Sequence, residues 1–290
     1  MDKKYRGIIC IIISAFCFAL MNAFVRLSGD LPSIEKSFFR NLVAMFFAIA
    51  ILIKEGGIFK WKKGNLPLLV LRSTCGTVGI ICNYYAIDHL VLADASMLNK
   101  MSPFFVIIFS ALFLSERIKP FQAISVIGAF IGSLFIIKPS FSNVDMFAAF
   151  VGLLGGLGAG AAYTCVRALG TKGENKALIV FFFSTFSCLV TLPYLIFDFH
   201  PMSLEQFIFL MLAGVAAAGG QFSITAAYSY APGREISVYD YSQIIFSALL
   251  GFVLFNQLPD GLSILGYVTI IFFAVLMFVF NMRDKKLKKA

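Results

Sequence analysis

Apolar runs of about 20 residues, separated by short clusters of Gly, Pro and charged residues, recur along the whole chain. Cutting at those clusters predicts ten helical spans, near 7 to 27, 34 to 53, 66 to 87, 94 to 114, 120 to 137, 146 to 168, 177 to 197, 204 to 229, 236 to 256 and 261 to 280. Each is about long enough to cross a hydrocarbon core of roughly 30 Å as a helix. The connections are short, so no separate water-soluble domain fits between them. The first run starts from the basic "MDKKYRG" and stays apolar to Val25 without a small-residue cleavage site. It is expected to be an uncleaved first span, not a removed signal peptide.

Polar residues break this pattern at helical spacing. On the fourth span Ser96, Asn99, Lys100 and Pro103 fall at i, i+3, i+4 and i+7, one stripe on a surface of Phe, Ile and Leu. The third span carries Arg72, Cys75, Gly76, Gly79 and Asn83; the eighth carries Gln221, Thr225 and Tyr228; the ninth carries Ser237, Asp240 and Tyr241. Lipid is a poor neighbour for such stripes, because a charge at the bilayer centre costs about 2.5 to 3.5 kcal/mol even on insertion scales. The stripes are therefore expected to face a shared interior.

Composition agrees with the pattern. Of 290 residues 60% are hydrophobic and only 13% charged, and the mean hydropathy is +0.89, so the chain reads as a polytopic membrane protein. The net charge of +9 does not indicate nucleic acid, because the basic residues sit in the gaps between apolar runs. They are topology signals. With a cytoplasmic N-terminus, the inside segments hold Lys3, Lys4 and Arg6; Lys54, Lys60, Lys62 and Lys63; Arg117 and Lys119; Lys172 and Lys176; Arg234; and Arg283, Lys285, Lys286, Lys288 and Lys289. Only Lys36 and Lys138 fall outside. This bias predicts a cell-membrane protein with both termini in the cytoplasm. The six cysteines all lie in apolar runs and are expected to be small buried residues without disulfides or metal.

The chain also resembles itself. Residues 12 to 29, "IISAFCFALMNAFVRLSG", align with 153 to 170, "LLGGLGAGAAYTCVRALG", pairing Arg26 with Arg167 at an offset of 141. The same offset sets Ser96, Asn99 and Lys100 on Ser237, Asp240 and Tyr241, and Glu116 on Gln257. "IIFSAL" recurs at an offset of 137 instead, so the register of that helix is open by about one turn. Five spans is an odd number, so a second copy enters the membrane from the opposite side. The expected plan is an inverted repeat, residues 1–140 followed by 141–290.

The stretch "NYYAIDHLVLADASMLNKMSPFFVIIFSALFLSERIKPFQAISVIGAFIG", with its Ala-Asp-Ala, helix proline and Ser-Glu-Arg, resembles the first half of an EamA-type protein of the drug/metabolite transporter superfamily. "YDYSQIIFSALLGFVLFNQLPDGLSILGY" resembles the matching second half, with Asn256 and Gln257 where Gly-Glu is usual. The resemblance implies a ten-helix bundle around a central cavity, alternating access and no ATP. Related members move amino acids, nucleotide-like metabolites, flavins, S-adenosylmethionine or organic anions.

The charges within spans each admit two readings. Arg72, about six residues from the inner end of its span, reads first as a snorkelling side chain. Arg26 and Arg40, near the outer ends of the first two spans, either pair with Asp30 or Glu35 at the rim or meet substrate. Arg167 reads as a topology and rim residue. Lys100, about 9 Å deep from a helix start near Asp94, reads first as substrate-binding, with Asn99 and Ser96 beside it. Asp240 is either a carboxylate at a helix N-terminus or a proton-coupling group. Asn83, Tyr84, Gln221, Tyr228 and Tyr241 complete the expected substrate-binding set, although core packing is the commoner role for such tyrosines. Gly152, Gly156 and Gly160, and Gly128 with Gly132, are expected to let helices pack closely.

No nucleophile, zinc-binding or aspartate-pair motif is present, and His89 and His200, both in expected outer loops, lack metal-ligand partners at helix spacing. The expectation is a carrier without catalytic residues, cofactor or metal. It moves a small polar or anionic metabolite, first an amino acid or organic anion, with a flavin or adenosyl compound as the alternative. A non-transporting structural membrane protein is the other class. Lipid and a small-molecule substrate are the expected partners, nucleic acid is not, and a homodimer is left open.

Overall fold

The computed structural model describes residues 3–56, 59–89, 98–137, 145–256 and 260–287. The first five helices are α1 (Lys3–Leu27), α2 (Ser33–Lys54), α3 (Leu66–His89), α4 (Ser102–Leu114) and α5 (Pro120–Ile137). They are followed by α6 (Met146–Thr171), α7 (Lys176–Phe197), α8 (Leu204–Tyr230), the short α9 (Gly233–Ile236), a 3-10 turn (Ser237–Tyr241), α10 (Ser242–Phe255) and α11 (Gly261–Leu287). Among the described residues there is no strand. Local chemistry sets several starts: Asp145 caps α6, Asn175 caps α7, and Ser203 with Gln206 forms a capping box on α8.

Two of the predicted spans are not continuous helices. In the fourth, residues Lys100 and Met101 form a turn, and α4 begins only at Ser102, with Pro103 in its first turn. In the ninth, the 3-10 turn separates α9 from α10. Broken helices at membrane depth survive only where protein or a polar interior satisfies the freed backbone groups.

The helices pack as an inverted pair of five-span sets. α1 lies along α8, and α6 lies along α3; α1 also meets α10, as α6 meets α4. α2 pairs with α7 and α5 with α11. Exchanging the first five spans for the last five turns this list into itself, as a pseudo-two-fold axis requires. A local detail repeats too. Ser115 ends α4 and Asn256 ends α10, both in the left-handed region at φ 53°, and they stand 141 residues apart.

Small residues make the closest contacts, as expected where lipid gives no hydrophobic drive between helices. The predicted stripe of Gly152, Gly156 and Gly160 packs on Leu98, Ser102 and Phe105, the fourth span. Gly128 and Gly132 face Phe273, Gly266 and Thr269 of α11. A second glycine face escaped the sequence pattern. A side chain at Gly158 would stand 2.8 Å from the carbonyl of Cys75, and one at Gly155 would stand 3.0 Å from the amide of Asn83, so α3 and α6 touch backbone to backbone. Outward, Leu112, Phe113, Leu189, Ile196 and Phe197 are exposed, the surface of a protein whose solvent is lipid.

Candidate functional site

The two broken helices meet each other. Because α4 starts late, the amide of Phe104 bonds the carbonyl of Met101 at 3.0 Å, and the Lys100 carbonyl that an unbroken helix would have used is released. The phenol of Tyr241 donates to it at 3.1 Å. The Lys100 ammonium lies 3.3 Å from the Asp240 carboxylate and donates to Gln243 Oε1 at 2.7 Å. Lys100, Asp240 and Tyr241 are all buried.

This geometry changes the expected roles. Lys100 does not snorkel, and its charge is already answered by Asp240 and Gln243. Asp240 is not a free helix-terminal carboxylate but half of an ion pair. Ser237 beside it is buried with an unpartnered hydroxyl. Ser96 lies outside the described residues. Asn99 is half-buried next to the break and lies close to Gly156.

The strongest unpaired charge lies elsewhere. Arg72 on α3 is 2% exposed, so the snorkelling reading fails. It is enclosed by the bundle, between Gly76 of its own helix and Phe183 of α7. Its guanidinium lies 3.6 Å from the centroid of the Phe183 ring of α7. A side chain at Gly76 would come within 2.5 Å of Arg72 Nη1, so the absence of one makes room for the guanidinium. Nε and Nη1 are buried without a hydrogen-bond partner. Arg40 on α2 is buried as well, 5.9 Å from the Phe18 ring, with Nε unpartnered. The expected rim pairing of Arg40 with Glu35 does not form. Glu35 is wholly buried and accepts instead from the His200 amide at 2.6 Å, with His200 Nδ1 at 3.4 Å.

Tyr163 on α6 is a further aromatic group of the interior. It stacks on Tyr228 of α8 with ring centroids 5.1 Å apart. Gln221 on α8 is buried with its amide nitrogen unpartnered. Direct contacts join Lys100, Asp240 and Tyr241, and Tyr228 to Tyr163; Arg40 and Gln221 are buried polar groups of the bundle. Arg26 is exposed at the end of α1. Asn83 and Tyr84 are half-buried toward the far end of α3, where the Asn83 backbone packs on Gly155. The sequence places Arg72 on a polar stripe but reads it first as a snorkelling side chain, and Tyr163 is absent from the expected substrate-binding set. The four-residue step from Arg72 to Gly76, which leaves room beside the guanidinium, was the available signal.

Polar contacts also close the two ends. At the basic face Glu174 accepts from Asn65 Nδ2 at 2.6 Å and from the Lys62 amide at 3.1 Å. Arg167 pairs with Glu116 at 3.1 Å, and Arg234 approaches the same carboxylate at 3.9 Å, so Arg167 holds the end of α6 as a rim residue. At the opposite face Glu35 holds His200. Among the described residues, no three His, Cys, Asp or Glu side chains converge as metal ligands.

Comparison with known proteins places this architecture. Residues 5–138 match the model of the EamA-like transporter family. The pseudopaline exporter CntI of Pseudomonas aeruginosa is 36% identical over 274 residues, covering 93% of this chain and 95% of its own. A riboflavin transporter of Brucella anthropi is 24% identical over 252 residues, 84% of this chain and 88% of its own. One crystal structure superposes with a TM-score of 0.85 at 14% identity, covering 97% of this chain and 99% of that one, which shows a shared fold. With inverted five-span sets, broken helices meeting in a polar interior, and a relative more than one-third identical over nearly its whole length, the chain is a multi-pass membrane protein and belongs to the EamA-like transporter family.

Proposed function

We propose that the protein is a secondary-active carrier that moves a small polar or anionic metabolite by alternating access between its two inverted halves. The observation that carries this reading is the contact between Tyr241 and Lys100. They are equivalent positions of the two halves, and equivalent positions can touch only near the axis that relates them. Because the close helix pairs join one repeat to the other, the units that rock about that axis are mixed, α1 with α8 and α10 against α6 with α3 and α4, and their motion exposes the buried cluster first to one face and then to the other.

An anionic solute is supported by the interior charge, in which Arg40, Arg72 and Lys100 stand against Asp240. The Lys100–Asp240 pair is the proposed coupling element: protonating Asp240 releases Lys100, and deprotonation recaptures it. The name of the Pseudomonas relative supports export. The basic loops support a cell-membrane location with the N-terminus in the cytoplasm. A flavin is the second reading, favoured by the name of the Brucella relative and by the Tyr163–Tyr228 stack, which a planar ring can extend.

The test is flux in liposomes reconstituted with the full chain, using labelled organic anions, amino acids and riboflavin, with and without an imposed pH gradient. Asp240→Asn is expected to retain exchange of like for like and to lose the dependence on the gradient. Gradient dependence that survives in Asp240→Asn removes the coupling role, and no saturable flux of any solute removes the carrier reading.

A further inference from the structure

We infer that Glu116 is a positioning residue for the transport cycle, its carboxylate latching the two rocking units together at the face that carries the basic loops. This rests on the carrier reading above and names where one of its gates closes. Glu116 follows α4 and gives one oxygen, Oε1, to Arg167 Nε of α6 at 3.1 Å. Both belong to the unit of α3, α4 and α6. The other oxygen, Oε2, is buried without a hydrogen bond and faces Arg234 Nη1 of α9 at 3.9 Å. Because α9 joins α8 to α10, Arg234 rides on the opposite unit. Its neighbour Glu235 is held by Lys4 of α1 at 3.4 Å, within that same unit, which leaves Glu116 to answer Arg234.

The backbone closes around this triad. A side chain at Gly170 of α6 would stand 2.6 Å from the Cα of Ser229 of α8, and one at Gly233 would collide with Val106 of α4. Both are contacts between the two units. The opposite face is built differently. Exchanging the repeats carries α6 and α8 onto α1 and α3, and among the described residues α1 and α3 show no matching close packing. A side chain at Gly29, the equivalent of Gly170, would meet only Gln206 Nε2 among the described residues, at 3.6 Å. The 141-residue offset sets Arg26 on Arg167, but Gln257 on Glu116 and Ala93 on Arg234, so the sequence supplies no second copy of the triad. The carrier is therefore closed at the basic face, and the Glu116 charge biases it toward that state. Without that charge Arg167 and Arg234 would face each other across the boundary as two cations, and like charges repel.

The experiment places a cysteine at Ser110, which is buried on α4 and lies 3.7 Å from where a Gly233 side chain would begin. Oriented membrane vesicles holding the full chain meet a membrane-impermeant maleimide on one side or the other, and labelling at residue 110 is read by mass spectrometry. Cys188, buried on α7, reports general unfolding. With Glu116 intact, the thiol of the Ser110→Cys variant is expected to be protected. Adding Glu116→Gln should raise its labelling about fivefold, the scale of one partly exposed ion pair, from the basic-loop side alone and with Cys188 still unlabelled. Adding Arg234→Gln as well should bring the rate back toward that of the parent, because it removes one of the two facing cations. A residue that only stabilised the fold would give a further rise instead. Unchanged labelling in Glu116→Gln, faster labelling when Arg234→Gln is added, entry from the opposite side, or joint labelling of Cys188 each overturns the inference. Labelling needs no substrate, so the two readings fail separately. Liposomes that carry no solute strike the carrier reading, and a protected residue 110 in Glu116→Gln strikes the latch.

Discussion

The phenol of Tyr241 donates a hydrogen bond to the main-chain carbonyl of Lys100 across 3.1 Å, and the two residues are separated by 141 positions, the offset between the halves. This single bond repairs the backbone where α4 is broken and locks the two halves together near their common axis. Tyr241→Phe leaves the ring in place and strands a buried carbonyl. It is expected to cost about 1–3 kcal/mol, seen as a lower melting temperature, and to speed substrate exchange if opening of the axis limits it. An unchanged melting temperature would mean that the carbonyl finds another donor.

Lys100 and Asp240 are expected to behave as a unit. Removing one partner leaves a buried charge unanswered, so Lys100→Ala and Asp240→Ala should each destabilise by about 3–5 kcal/mol. The double variant Lys100→Met with Asp240→Leu should recover much of the loss while remaining inactive in flux. Additive losses in a double-mutant cycle on unfolding would show that the pair is not coupled.

Glu174 gathers the Asn65 side chain and the Lys62 amide from the loop before α3, and Lys62 Nζ also reaches the Lys172 carbonyl at 3.3 Å. Glu174→Ala is expected to cost about 2–3 kcal/mol. It should also open the 59–65 segment to limited proteolysis from the basic face. A cleavage rate equal to wild type would show that the loop is held by other contacts.

Close backbone approach between α3 and α6 leaves no space at Gly158. Gly158→Val forces the helices apart and is expected to lower stability by about 1–3 kcal/mol. Leu157, one residue earlier and exposed at 37%, serves as the control position. If Leu157→Val lowers the melting temperature as much as Gly158→Val, the packing argument fails.

Ser115 holds a left-handed backbone at the end of α4, where a side chain is disfavoured and glycine is not. Ser115→Gly is expected to stabilise by about 1 kcal/mol. Asn256→Gly should gain less, because Asn tolerates that region better. Denaturant unfolding in detergent measures both, and a larger gain at Asn256 would contradict the ranking.

The ten spans and the glycine stripes of α5 and α6 follow from the one-dimensional pattern, because lipid imposes span length and helix–helix contact imposes small residues. The 141-residue offset is also legible in the sequence, since duplication leaves matching residues at a constant spacing. What only the tertiary structure decided is which charges cancel. Spacing showed that Lys100 and Asp240 sit on polar stripes, but not that the breaks in both helices let them meet. Nor did it show that Glu35 turns to His200 and leaves Arg40 without an acid. Arg72 looked close enough to an inner membrane edge to snorkel, yet Gly76 and Phe183 hold it within the bundle. A charge's role depends on the partner it finds in space, and partners 140 residues apart, as Lys100 and Asp240 are, are set by packing and not by local sequence.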